Sequence, residues 1–248
     1  MAARLDCVIP VRNNVRFTAS ILQHILACDV KPRRLYLIDN GSTDETPRVC
    51  ADFAKRLPCL EYVRHERNIG VNPAWNYVFE KSDAEHIAIL NNDLILNHNF
   101  FAKTLETIER YPDVAITQPL TVSSPDLVHE KPLPFRVSVV TRKMVGYAFT
   151  VSRQLLEISG LIPKTLLIYC GDQILFDVAL EEKLPILLME HNLIYHYGSQ
   201  TCKLLRTFPQ FFPREMREFQ RLTKERCKQK GVSLPWNAVA WNTDRGSL

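Results

Sequence analysis

Short apolar runs alternate with helical periodicities along the first half of the chain. Leu5 to Val11, Arg34 to Ile38, Leu60 to Val63, His86 to Leu90 and Val114 to Thr117 have strand length and β-branched character. Between them, Phe17, Ile21, Leu22, Ile25 and Leu26 recur at helical spacing. Val49, Phe53 and Leu57 do the same after Ser42-Thr43-Asp44, which reads as a cap. Asn99 precedes a helical stretch from Phe100 to Tyr111, which Pro112 ends. Alternation of this kind predicts an α/β fold: a mixed, mostly parallel sheet flanked by helices on both faces.

The second half has a different texture. Pro-broken segments run from Ser123 to Pro134, and strands are expected at Arg136 to Thr141, Met144 to Val151 and Ile186 to Tyr195. Helices are expected at Gln154 to Ile158 and Gln173 to Glu182. Phe212, Met216, Phe219 and Leu222 mark a further amphipathic helix. The expected division is a main domain over 1–201, with a ligand-binding half at 1–93 and a second half at 94–201, followed by a basic helical extension at 202–248.

In sheets of this type ligands sit beyond the carboxyl ends of the strands. Four successive expected strands end in polar loops: Pro10-Val11-Arg12-Asn13-Asn14, Asp39-Asn40-Gly41-Ser42-Thr43-Asp44, Arg67-Asn68-Ile69-Gly70 and Asn91-Asn92-Asp93. Pro10 is expected to stop the ladder and fix the first turn. A carboxylate at Asp39 can accept from an N–H or hydroxyl of a ligand, with an Asx-type turn as its structural alternative. Trp75 reads as helix-core packing. No G-x-G-x-x-G or G-x-x-x-x-G-K run occurs, which removes the dinucleotide and P-loop classes.

Composition adds little except at one end. At 46% hydrophobic and 23% charged, the 248-residue chain is ordinary for a globular protein. The net charge of +4 is concentrated between Lys203 and Lys230, where nine Lys or Arg face three Glu. Such a basic end suits an anionic surface, membrane lipid or nucleic acid, or is a solvated helix face. The seven cysteines are scattered without a C-x-x-C pair and are expected to be reduced thiols. With no apolar run of spanning length and no leader-like start, the expected location is cytoplasmic, with peripheral membrane contact through the basic end.

Three segments together resemble a family 2-type glycosyltransferase with the GT-A fold, with the rhamnosyltransferase-like branch as one candidate. They are Leu37-Ile38-Asp39-Asn40-Gly41-Ser42-Thr43-Asp44-Glu45-Thr46, Asn68-Ile69-Gly70 followed by Asn76, and Ile89-Leu90-Asn91-Asn92-Asp93. The resemblance implies a nucleotide-sugar site built by Pro10, Val11, Arg12, Asn13, Asp39, Asn40, Asn68, Gly70, Asn76, Asn91 and Asn92. It implies Asp93 and the late His196 as ligands of a divalent metal, Mn2+ or Mg2+, with His191 the weaker candidate. It implies Asp172 as the base that deprotonates the acceptor, against a structural role as N-cap of the helix from Gln173.

The function so implied is inverting transfer of a sugar from a UDP- or dTDP-type donor to an acceptor hydroxyl on a glycan, or on an anionic or membrane-surface acceptor. Asn40, Asn91 and Gly171 depart from the acidic residues common at these places. Asn91 and Gly171 support the competing reading, a nucleotide-sugar-binding module without transfer.

Overall fold

A computed structural model describes residues 4–129, 133–141, 145–198, 200 and 207–231, with 207–210 described by backbone alone. The described strands are β1 (Leu5–Val11), β2 (Leu35–Asp39), β3 (Leu60–Arg64), β4 (His86–Leu90), β5 (Leu94–Leu96), β6 (Ile116–Thr121), β7 (Val137–Val139), β8 (Ala148–Ser152) and β9 (Ile186–His196). The helices are α1 (Val15–Ala27), α2 (Thr46–Ala54), α3 (Val71–Lys81), α4 (Phe100–Arg110), α5 (Arg153–Ser159), α6 (Gly171–Glu181) and α7 (Thr207–Lys230).

The strands form one sheet in the order β3-β2-β1-β4-β8-β6-β9-β5, with β7 paired to β9. Pairing is parallel from β3 through β4 and between β6 and β9; β5, β7 and β8 run the other way. Strands β1, β2 and β4 are buried along nearly their whole length, which is why they read as continuous apolar runs. Two core layers cover the sheet. One packs Trp75, Val78 and Phe79 of α3 and Ile174, Leu175 and Val178 of α6 on one face, and the other packs Ile21, Leu22 and Ile25 of α1 with Phe100, Phe101 and Ile108 of α4 on the opposite face.

The sequence pattern and the structure differ at informative places. Pro10 does not stop the strand: pairing with β2 continues to Val11↔Asp39, and only the β4 side ends, at Val8↔Ile89. A proline lacks one donor, so it is tolerated where only one side of the strand remains paired. Strand β5 is too short to show a period, and it was not expected. The expected strand start at Met144, the domain end at Thr201 and the flanks 202–206 and 232–248 of the basic extension lie outside the described residues.

The described part of that extension, α7, packs on the main body. Phe219 is 6% exposed and joins the α3/α6 core layer with Met216 and Leu222 against it. Glu215, 1% exposed, accepts the backbone N–H groups of Ile168 and Tyr169 at 2.9 and 2.7 Å. Arg226 pairs with Asp177 and Glu181, and Lys230 with Glu181 and Glu182, so two of the basic residues are matched by acids of α6 and its end.

Candidate active site

Because β1, β2, β4 and β9 run in one direction, their carboxyl ends share one edge of the sheet, and the antiparallel β8 begins there. That edge carries a cleft of about 220 Å³ lined by Asn91, His196, Asp172, Gly146, Tyr147, Trp75, Val71 and the stretch Ile168 to Cys170. Three of the sequence-derived site residues, 81 and 24 positions apart along the chain, thus meet in one space: Asn91 after β4, Asp172 in the first turn of α6, and His196 at the end of β9.

Asp93 and His196 are brought together by the short pairing of β5 with β9, which sets Leu94 opposite His196. His196 Nε2 lies 3.1 Å from Asp93 Oδ1, and Gln200 N–H donates to Asp93 Oδ2 at 2.8 Å. Burial pushes the Asp93 carboxyl up, but the His196 hydrogen bond and charge and the Gln200 N–H together hold it below its usual range. His191 lies elsewhere: its Nδ1 is 2.9 Å from the Arg136 carbonyl, and it does not line the cleft.

Among the described residues no group of three or more His, Cys, Asp or Glu side chains forms a metal centre. What the chain offers is one carboxylate and one imidazole in contact, a hard oxygen and a borderline nitrogen. That pair fits a manganese-type cation completed by other oxygen ligands, and it is too few for an all-protein cage.

Asp172 sits inside the first turn of α6, whose N-cap is Cys170, so the capping alternative does not describe it. Burial pushes its carboxyl above the usual range, against hydrogen bonds from the Gln173 side chain and backbone that pull the other way. Its Oδ2 lies against Gly146, where any Cβ would overlap the carboxylate. Gly171 is explained in the same way: a Cβ there would overlap Asn72 Oδ1 and Cγ.

The loops over β1 to β3 are knitted to one another. Asp39 is fully buried; Oδ1 accepts Ser42 N–H at 2.8 Å, closing an Asx turn, and Oδ2 accepts the Tyr62 hydroxyl at 2.6 Å. Asn40 Nδ2 donates to the Gly70 carbonyl at 3.2 Å, and Asn68 Oδ1 accepts Gly70 N–H at 3.0 Å. Asn13 Oδ1 accepts Thr43 N–H at 2.7 Å and Asn13 N–H donates to Ser42 Oγ at 2.8 Å, joining the first loop to the second. The Asp44 carboxylate serves two helix starts, one before it in the chain and one after: it accepts Val15 N–H at the start of α1 and Thr46 N–H at the start of α2, each at 3.0 Å.

Asn68 and Asn76 bond different partners. Both ends of the Asn76 amide are taken by the Ile162 backbone, at 2.8 and 2.9 Å. Asn92 Nδ2 is held by Thr18 Oγ1 at 3.1 Å. Gly70, at φ +100°, does permit a close backbone approach, but the group that approaches is Leu167. Arg12 differs from these: its Nε is buried and makes no hydrogen bond among the described residues.

Sequence reasoning assigned no role to Asn72 or Glu215 and gave Tyr147 no site role of its own. Asn72 donates to the carbonyls of Leu166 and Tyr169 at 3.1 and 3.0 Å, and with Glu215 it fixes the stretch that walls the cleft beside Asp172. Tyr147 lies flat on His196, with ring centroids 3.9 Å apart and planes 23° apart. No local pattern signals such partners, which come from remote parts of the chain.

A parallel sheet half with its chemistry at the carboxyl edge, extended by a mixed half in which the antiparallel pairing of β5 with β9 sets Asp93 beside His196, is the GT-A arrangement of nucleotide-sugar transferases. The family model for glycosyl transferase family 2 matches residues 6–178, and the chain belongs to that family.

The glycosyltransferase GlyG of Streptococcus pneumoniae serotype 4 is 25% identical over 117 residues, 47% of this chain and 39% of GlyG. A glycosyltransferase of Rickettsia bellii is 27% identical over 107 residues, 43% of this chain and 15% of that protein. The matched stretch therefore spans well under half of either relative. Among solved structures, S. aureus TarS 1-349 superposes with a TM-score of 0.66 at 15% identity, covering 89% of this chain and 64% of that one. The mannosyltransferase PcManGT from Pyrobaculum calidifontis, in complex with GDP-Man and Mn2+, superposes at 0.64 with 18% identity, covering 89% and 65%. Glucosyl-3-phosphoglycerate synthase from Mycobacterium tuberculosis, with Mn2+, UDP and glucosyl-3-phosphoglycerate, superposes at 0.58 with 14% identity, covering 93% and 81%. At these identities the likeness is one of fold.

Proposed function

We propose that the chain transfers a sugar, with inversion, from a UDP- or dTDP-type donor to an acceptor hydroxyl, with Asp172 as general base and Asp93 with His196 at a divalent cation. The observation that carries this reading is the single cleft that holds Asp172 together with His196 and Asn91. Its chemistry is that of a displacement at an anomeric carbon. The acceptor oxygen forms the new bond to that carbon as the bond to the diphosphate oxygen breaks. The acceptor proton passes to Asp172, whose raised affinity for protons brings it closer to the basicity this step needs.

A cation bound by Asp93 and His196 would neutralise the charge that develops on the leaving diphosphate. Around it, the chain's own residues position the donor. Pro10, Val11, Arg12 and Asn13 line the end of β1, and the orphaned Arg12 Nε is a donor that an anionic ligand would satisfy. Asn91 contacts the donor from the end of β4. Asp39, Asn40 and Asn68 hold the loops over β1 to β3 in register, and Gly70, Asn76 and Asn92 complete the nucleotide-sugar-binding set on this reading.

On this reading residues 1–93 bind the nucleotide sugar, residues 94–201 meet the acceptor, and the basic extension over 202–248 steers anionic acceptors or an anionic cytoplasmic membrane surface. No helix among the described residues is long and apolar enough to cross a membrane.

The test is a screen of nucleotide sugars for metal-dependent hydrolysis and thermal stabilisation, repeated with Asp172→Asn. Donor binding retained with turnover lost supports the assignment. Donor binding by the wild type without hydrolysis or transfer to any acceptor would favour the binding-module reading.

A further inference from the structure

We propose that Tyr147 is a positioning residue for His196, setting the plane of the imidazole that faces Asp93. This inference rests on the reading of Asp93 and His196 as the metal-binding pair. The two rings are in flat contact, 3.9 Å between centroids at 23°. An imidazole at a strand end keeps rotational freedom about its terminal side-chain bond, and a flat aromatic neighbour removes most of it.

The tyrosine is itself held from three directions. Its hydroxyl shares a hydrogen bond of 2.9 Å with Thr121 Oγ1 on β6. Its carbonyl accepts Asn91 N–H at 2.8 Å. Its preceding residue, Gly146, abuts the Asp172 carboxylate. The ring that orients His196 is thus tied to the cleft's β4 wall on one side and to the proposed base on the other. Ligand imidazoles depend on such outer contacts for orientation, and losing one typically weakens metal binding by about 10–100-fold.

The experiment uses the full chain and Mn2+, alone and with UDP, dTDP or GDP, and reads bound Mn2+ by electron paramagnetic resonance. Three variants are compared with wild type: Tyr147→Leu, Tyr147→Phe and His196→Ala. Tyr147→Leu is expected to weaken Mn2+ binding about 5- to 10-fold, no more than His196→Ala does, while Tyr147→Phe, which keeps the stack, stays within about 2-fold of wild type. A second readout needs neither metal nor activity. Imidazole proton resonances of His196, assigned with His196→Ala, should be shifted upfield by the tyrosine ring in wild type and Tyr147→Phe, and should lose that shift in Tyr147→Leu.

Folding of each variant is checked by its thermal unfolding. If Tyr147→Leu does not fold, Tyr147→Met, which fills the space without a flat ring, takes its place against Tyr147→Phe. Equal Mn2+ binding by wild type and a folded variant without the stack, alongside weakened binding by His196→Ala, overturns the proposal while leaving the metal site in place. Unaltered binding by His196→Ala, or no binding by wild type under any of the four conditions, overturns the metal reading and this inference with it.

Discussion

Asn72 Oδ1 occupies the space into which a side chain at Gly171 would grow. The amide cannot retreat, because its nitrogen bonds the carbonyls of Leu166 and Tyr169 and its backbone N–H bonds Leu167. The absence of an acidic residue beside Asp172 therefore has a packing cause, and it does not by itself argue against catalysis. Gly171→Ala is expected to destabilise the fold by about 1–3 kcal/mol, and Gly171→Glu by more. In the background Asn72→Ala, the cost of Gly171→Ala should shrink. Urea denaturation of the four proteins checks this; equal costs in both backgrounds would show that the two residues do not compete for space.

Asp172→Asn should lose turnover by about 10²–10⁴-fold with donor affinity retained. Since burial raises the carboxyl, the acid limb of the wild-type rate profile should lie above the ordinary carboxylate range near about 4. The same shift bears on stability. The native state holds this proton more tightly than the unfolded chain, so its contribution is fully present below the unfolded value and is lost as pH rises through the raised one. Asp172→Asn should therefore melt no lower than wild type at neutral pH and should gain on it as pH rises from about 4 through the raised value. A variant that loses donor binding and stability together would make Asp172 structural.

Asp93→Ala should abolish metal-dependent donor binding, lowering metal affinity by more than about 100-fold, whereas His196→Ala should lose about 10-fold. The difference follows from charge: removing Asp93 takes away a formal negative charge, while the diphosphate and water can replace one neutral ligand. Isothermal titration with Mn2+ and UDP measures both. Wild-type turnover in the presence of a strong chelator would exclude the assignment.

The cations of the basic helix stand in two different settings. Arg226 is 19% exposed and reaches Asp177 and Glu181, whose side chains are fully buried, so Arg226→Gln should cost about 3 kcal/mol of stability. Lys224 and Lys228 are exposed on α7. Replacing both by Gln should leave stability unchanged and weaken binding to vesicles of anionic lipid, with a wild-type effect that fades as salt rises. Vesicle flotation from low to high salt gives the answer; equal flotation of mutant and wild type at low salt would reduce these lysines to a solvated face.

The sequence by itself determined most of the strand and helix order of the first half, β5 excepted, because buried parallel strands must be continuously apolar and their covering helices show a 3.6-residue period. Leu5–Val11 and His86–Leu90 were legible to the residue. So were the polar strand ends, since those loops are where a doubly covered sheet can present polar groups. Which of those polar residues face a cleft was decided only by the tertiary structure. An asparagine looks the same in sequence whether it meets a ligand, as proposed for Asn91, or is consumed by a backbone partner 86 positions away, as Asn76 is by Ile162.

Strand β5 makes the same point, because three residues carry no period, yet their pairing with β9 is what sets Asp93 against His196. The helical spacing of Phe212, Met216, Phe219 and Leu222 fitted both a packed helix and an interfacial one. The choice fell to packing when Phe219 found a place in the core and the buried acids of α6 found Arg226. Local sequence sets periodicity and loop chemistry, whereas pairing between distant segments sets which groups are satisfied within the protein and which remain for a ligand.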